Sequence, residues 1–196
     1  MIAYKVSFKE ARDLARYQSF RHDLHYVEEA TTRHFELLTS GERDRTLARS
    51  LWTGTVVAYV RCFSPGSRQP RLNPMEVFSS EPEYAALHER IKAVRDRHLS
   101  HASLHSNLDL EEVGISVPAD GGDWVVGGAT MFGNAPPPED VAALLRVGHF
   151  VFNWVSAKAR VAQERVLIKA KGMGEANIKR RPILEQQPIR WHIALE

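Results

Sequence analysis

The chain has 196 residues, 43% of them hydrophobic and 26% charged, with a net charge of +2 at neutral pH. That length holds one domain with a full core, or two small ones, and the composition is that of a globular protein. Cys62 is the single cysteine, which excludes an intrachain disulfide framework and fits a reducing compartment. No apolar run approaches the ~20 residues needed to span a bilayer. The first residues, MIAYKVSFKEARDLAR, lack the apolar core and cleavage site of a signal peptide. These features predict a cytoplasmic protein with no membrane segment. The net charge alone does not argue for a nucleic-acid partner, but it is unevenly spread. Lys169, Lys171, Lys179, Arg180, Arg181 and Arg190 face only Glu175 and Glu185 over the same stretch.

In chain order, Ile2 to Val6 reads as a short extended entry. Ser7 with Glu10 three residues on has the pattern of a helix-starting capping box. A helix is predicted from Phe8 to about Leu38, with Leu14, Tyr17, Phe20, Leu24, Val27, Thr31, His34 and Leu38 at steps of three and four. His22 and His25 form a lone HxxH pair on it and read as solvated side chains, since no third ligand is fixed. A second helix is predicted from near Glu42 to about Phe63. Its uncharged centre, SLWTGTVVAYV, carries apolar residues on more than one side, as a central helix does. Arg61 closes that run, either as a snorkelling side chain or with an anion or carboxylate partner.

Ser64-Pro65-Gly66-Ser67 stops the second helix. After a proline-containing loop and a helical turn at Met75 to Phe78, Ser79 and Ser80 offer a cap for a helix beginning at Glu81-Pro82-Glu83. Beyond it, Val113, Ile115 and Val117 alternate with small or polar residues. Trp124 to Phe132 reads as a returning strand, with Gly127-Gly128 as a bulge or bend. The segment from about 111 to 133 is thus a predicted β-hairpin inserted between helices. The glycine pair lacks the GxxxxGKS/T spacing of a phosphate loop, and no cofactor motif is found elsewhere.

Pro136-Pro137-Pro138 before Glu139-Asp140 starts the longest helix, which should run to about Lys171. Its predicted buried stripe is Val141, Leu144, Gly148, Val151, Val155, Ala159, Ala162 and Val166. Gly148, Ala159 and Ala162 are small enough to admit another helix closely. His149 reads as a core-edge histidine with nothing to pair with nearby in sequence. Gly172 and Gly174 end the helix, and residues 172–196 form an extension that packs on the bundle or on a partner. The fold class is therefore mainly α, an antiparallel bundle at 1–171 with the inserted hairpin.

The stretch that bears on function is Tyr84 to His105, YAALHERIKAVRDRHLSHASLH. Tyr84, Leu87, Ile91 and Val94 make an apolar stripe that continues, by the same steps, into His98, His101 and His105, with Arg95, Asp96 and Arg97 beside it. Three readings compete. One is a metal site, which is disfavoured because i and i+7 lie about 10 Å apart along a helix and because the HExxH pattern is absent. A second makes the histidines the hydrogen-bonded, wet end of a helix bundle.

The third rests on Arg95-Asp96-Arg97-His98-Leu99-Ser100-His101. This string resembles the RxxxxxH signature of the HEPN superfamily, and IKAVRDRHLSHAS resembles the abortive-infection members of that group. The resemblance implies a small helical bundle, often a homodimer, acting as a metal-independent endoribonuclease or RNA-binding module in toxin and phage-defence systems, with a partner protein or antitoxin. It implies His101 as the acid/base and Arg95 as the group stabilising phosphate charge, with Asp96 orienting the pair. Arg97, His98, His105 and Arg61 would be substrate-binding. Imidazole titrates near neutrality, and cleavage through a neighbouring 2′-hydroxyl needs no metal. On an ideal helix Arg95 and His101 lie about 120° apart, so the site requires side-chain reach, a kink or a second protomer. The alternative function is a non-enzymatic helical interaction module.

Overall fold

A computed structural model describes residues 3–41, 44–65, 71–96, 110–116, 125–131, 136 and 138–184. The elements are α1 (Lys9–Ser40), α2 (Arg45–Arg61), α3 (Pro74–Val77), α4 (Pro82–Val94), β1 (Leu110–Ser116), β2 (Val125–Met131), α5 (Pro138–Met173) and α6 (Glu175–Lys179). The protein is mainly helical, and no helix among the described residues is long and apolar enough to cross a membrane. Two compact units are formed: one from 1–19 with 156–196, the other from 20–155.

Local signals set most helix ends. Asp44 caps α2, its carboxylate accepting from the Leu47 N–H at 2.8 Å. Asn73 caps α3 through the Met75 N–H. Two expected caps fall elsewhere. Phe8, not Ser7, supplies the carbonyl for the first α1 bond, from the Arg12 N–H. The α4 N-cap is Glu81 rather than Ser79 or Ser80, with no side-chain hydrogen bond, because Pro82 at the first helical position sets the start. Gly172 lies inside α5. The chain breaks at Gly174, whose φ of 80° falls in the left-handed region that favours glycine.

In the larger unit, α1, α2, α4 and α5 touch in a closed cycle. Asp23, Tyr26 and His34 of α1 meet Arg61, Gly54 and Trp52 of α2, an antiparallel ladder. Tyr59 of α2 meets His88 of α4. Glu83 and Arg90 of α4 pair with Arg146 and Asp140 of α5. Val27 of α1 sits against Gly148 of α5 so closely that a Cβ there would lie 2.9 Å from the Val27 Cγ1. The core among them is Leu24, Val27, Val56, Tyr59, Ile91, Leu144, Val147 and Val151. Seven of the eight predicted α5 stripe positions are buried, and the eighth, Val166, is half-buried.

The two strands pair antiparallel, residue for residue, from Leu110 opposite Met131 to Ser116 opposite Val125. Gly127 faces Gly114 and Gly128 faces Val113, so the glycine pair does not form the expected bulge. In the smaller unit the residues after α6 run back along the N-terminal segment. Lys5 N–H donates to the Pro182 carbonyl at 2.7 Å, and Leu184 N–H to the Ala3 carbonyl at 2.9 Å. Residues 182–184 of the expected extension thus pair with residues 3–5, and the rest of it, from 185 on, lies outside the described residues.

Candidate functional site

The buried face of α4 is turned from the predicted stripe. His88 and Ile91 are fully buried, while Leu87 and Val94 are only half-buried. Four residues beyond Ile91 on that face stands Arg95, its side chain 29% exposed. Arg95 thus continues the core face instead of lying beside it. Arg95 follows the last residue of α4 with helical dihedrals of −58° and −48°, its N–H still bonded to the Ile91 carbonyl, so the helical path carries it onto that face.

Two groups hold the Arg95 guanidinium. Its Nε lies 2.8 Å from Asp96 Oδ1, an ion pair without hydrogen-bond alignment. Its second nitrogen, Nη2, donates to Ser64 Oγ at 3.3 Å, and Ser64 in turn donates to the Val60 carbonyl at 3.0 Å. The end of α2 is therefore tied to the end of α4. Asp96 is half exposed and can exchange its cation for another. Arg97, His98, His101 and His105 lie outside the described residues.

Beneath this turn is an aromatic layer that sequence reasoning missed. The His88 ring lies 4.3 Å from the centre of Phe63, 5.1 Å from Phe78 and 5.8 Å from Tyr59. Phe78 stacks onward over Phe150, which stacks on Tyr84 at 4.3 Å. Tyr59 oxygen and His88 Nδ1 are 3.0 Å apart. Burial pushes the Tyr59 phenol well above its usual range, with Cys62 and Glu89 adding to the rise. A phenol held protonated can donate to Nδ1 or accept from Nδ1–H, so the bond is compatible with either tautomer of His88, and Nε2 is the ring nitrogen it leaves over. That nitrogen has no hydrogen-bond partner among the described residues, the Glu89 carboxylate being 3.8 Å away. Burial lowers the His88 pKa, against an opposing pull from Glu89. The signals for this layer in sequence are the i, i+4 spacings of Tyr59 with Phe63 and of Tyr84 with His88.

Arg61 has its carboxylate partner in Asp23 of α1. Arg61 Nε donates to Oδ2 at 3.0 Å and Nη2 to Oδ1 at 2.5 Å, a fork on a carboxylate only 5% exposed. His149 is exposed, not at a core edge, and its Nδ1 lies 3.2 Å from Glu28 of α1. His22 and His25 are solvated, the latter 3.5 Å from Glu29. No group of three metal-ligating side chains occurs among the described residues. No protein-family model, no curated protein and no solved structure matches this chain significantly.

Proposed function

We propose that the Arg95–Asp96 turn is the phosphate-handling half of an HEPN-like ribonuclease site, completed by His101, in a cytoplasmic toxin or phage-defence protein that works as a homodimer. The observation that carries this is the position of Arg95: a cation on the core face at the end of α4, held by Asp96 and Ser64, with its side chain 29% exposed. An arginine so restrained presents its donors to a phosphate oxygen without losing further side-chain freedom. Asp96 orients it and yields to the incoming anion, and His101 supplies the proton transfer. Arg61, engaged by Asp23, acts as a structural brace in this scheme and not as a substrate group.

A second reading is favoured by the same tether. An arginine already bound to Ser64 and Asp96 also serves to close a helix end in a non-enzymatic interaction module. RNA cleavage measured in the presence of a chelator separates the two. The ribonuclease reading expects a loss of ~10²–10⁴ in rate for His101→Ala and a comparable loss for Arg95→Ala, with melting temperatures close to that of the parent. Unchanged cleavage, or variants that lose their fold, would leave the interaction module standing.

A further inference from the structure

The near-neutral net charge conceals a division. The smaller unit, 1–19 with 156–196, holds thirteen lysines and arginines against six acids, a surplus of seven; residues 20–155 hold thirteen against eighteen, a deficit of five. Cations are equal in number on the two sides, so the asymmetry comes from where the acids are absent. Within the smaller unit α1 and α5 border an open cleft of about 450 Å³. Lys9 and Arg16 stand on the α1 side and Lys158 and Arg165 on the α5 side, each pair seven residues or about 10 Å apart along its helix. Tyr17 contributes an aromatic ring to the lining, and Val161 an exposed apolar surface. Asp13 offsets Arg16 through an ion pair at 3.4 Å, and Glu10 also lines the cleft. Further along the chain in the same unit, Lys169 and Lys171 of α5 and Arg180 and Arg181 after α6 are exposed and add to its positive surface.

We infer that this cleft and the basic surface beyond it bind the phosphate backbone of a single-stranded nucleic acid. Cations from two helices and an aromatic ring lining one cleft combine what such sites use: a positive groove that follows the backbone and a platform for base stacking. An anionic membrane is the weaker fit. A helix lying on a membrane inserts its apolar face, whereas the α5 stripe here, Val155, Ala159 and Ala162, is buried inside the protein, leaving Leu167 and Ile168 exposed. The inference extends the ribonuclease reading but is carried by other residues, and binding is measured without any cleavage.

The experiment uses the full chain and fluorescein-labelled 20-nucleotide oligouridylate and oligothymidylate, read by fluorescence anisotropy over a salt series. Both strands should bind at low salt if the backbone and base faces suffice, with RNA alone binding if the ribose hydroxyl is also read; either result supports the site. Each cation removed, in Lys158→Ala, Arg165→Ala and the double variant, should flatten the slope of log affinity against log salt by about 0.7. Tyr17→Ala should lose about tenfold in affinity, and Tyr17→Phe should keep it. Arg45→Ala and Arg49→Ala, exposed cations of the other unit, should change neither value. Circular dichroism of each variant checks that the helices persist. The inference is overturned if neither strand binds, if the control variants weaken binding as much as the cleft variants, or if the protein binds phosphatidylserine vesicles but no oligonucleotide. His101→Ala should retain full binding, so a failure of the catalytic reading and a failure of this one give different results.

Discussion

The Tyr59 phenol oxygen and His88 Nδ1 meet at 3.0 Å in the core, joining residues of α2 and α4 that are 29 apart in the chain. The bond leaves His88 Nε2 buried with no hydrogen-bond partner among the described residues. A neutral ring at this position satisfies half of its polar groups and a charged one satisfies no more, so burial favours the neutral form. His34 is in the same state, buried on α1 with its Nε2 unpartnered, edge-on to Trp52 at 6.2 Å. Its pKa too is lowered by burial.

Stability should therefore fall on acidification. For both histidines the folded-state pKa lies below the unfolded value, so the unfolded chain binds more protons as pH drops below about 6.5. The stability is fully present above that value and is lost downward toward the lowered folded pKa. Each histidine contributes at most about 1.4 kcal/mol per pH unit in that window. Urea melts at pH 7.0, 6.0 and 5.0 should show a steeper loss for the parent than for His88→Gln or His34→Gln. Parallel pH profiles for all three proteins would remove the buried-histidine explanation.

Tyr59→Phe tests the bond itself. The ring and its packing are kept, and His88 Nδ1 loses its hydrogen-bond partner. We expect a loss of about 1–3 kcal/mol, the usual cost of an unsatisfied buried polar group. In the Tyr59→Phe, His88→Leu double variant the two losses should not add, since the second change removes the orphaned nitrogen. Additive losses would mean that the hydrogen bond contributes nothing.

The Asp23–Arg61 fork predicts a structural phenotype for Arg61. Removing the guanidinium in Arg61→Ala takes the two-pronged fork away from a carboxylate that is 5% exposed. Breaking a buried pair costs roughly 3–5 kcal/mol, and the half-exposed position of Arg61 puts the expected loss nearer 2 kcal/mol. Asp23→Asn, Arg61→Gln should recover part of it. A variant with unaltered melting and reduced RNA affinity would instead return Arg61 to the substrate-binding group.

Two glycines should respond oppositely to alanine. At Gly148 a Cβ would meet Val27 Cγ1 at 2.9 Å, and Val27 is branched and fully buried, so it has no room to yield. Overpacking of about 1–3 kcal/mol outweighs the ~1 kcal/mol that alanine contributes to helix propensity. At Gly54 the obstacle is the hydroxyl of Tyr26, a side chain 42% exposed and able to swing away. Gly54→Ala should be neutral or stabilising, and Gly148→Ala destabilising, with Val27→Ala relieving the latter. Thermal melts of the three variants decide the matter.

What the sequence by itself determined was local. Prolines at the starts of α4 and α5, Gly174 after α5 and the three-and-four spacing along α5 located those elements, because helix ends and amphipathic faces are set by residues within a turn or two of each other. The cleft of the smaller unit was invisible, since its two walls are some 150 residues apart in the chain and each alone is an ordinary charged helix face. The same reason hid the partners of single side chains. Arg61 finds Asp23 across 38 residues and His149 finds Glu28 across 121, and neither separation leaves any periodic trace. Arg95 is the sharpest case. The spacing of carbon along α4 put it beside the apolar stripe, yet the helix buries its His88–Ile91 side, where His88 packs among Tyr59, Phe63 and Phe78. Packing partners from elsewhere in the chain, which no local pattern encodes, go with the face of α4 that is the inner one.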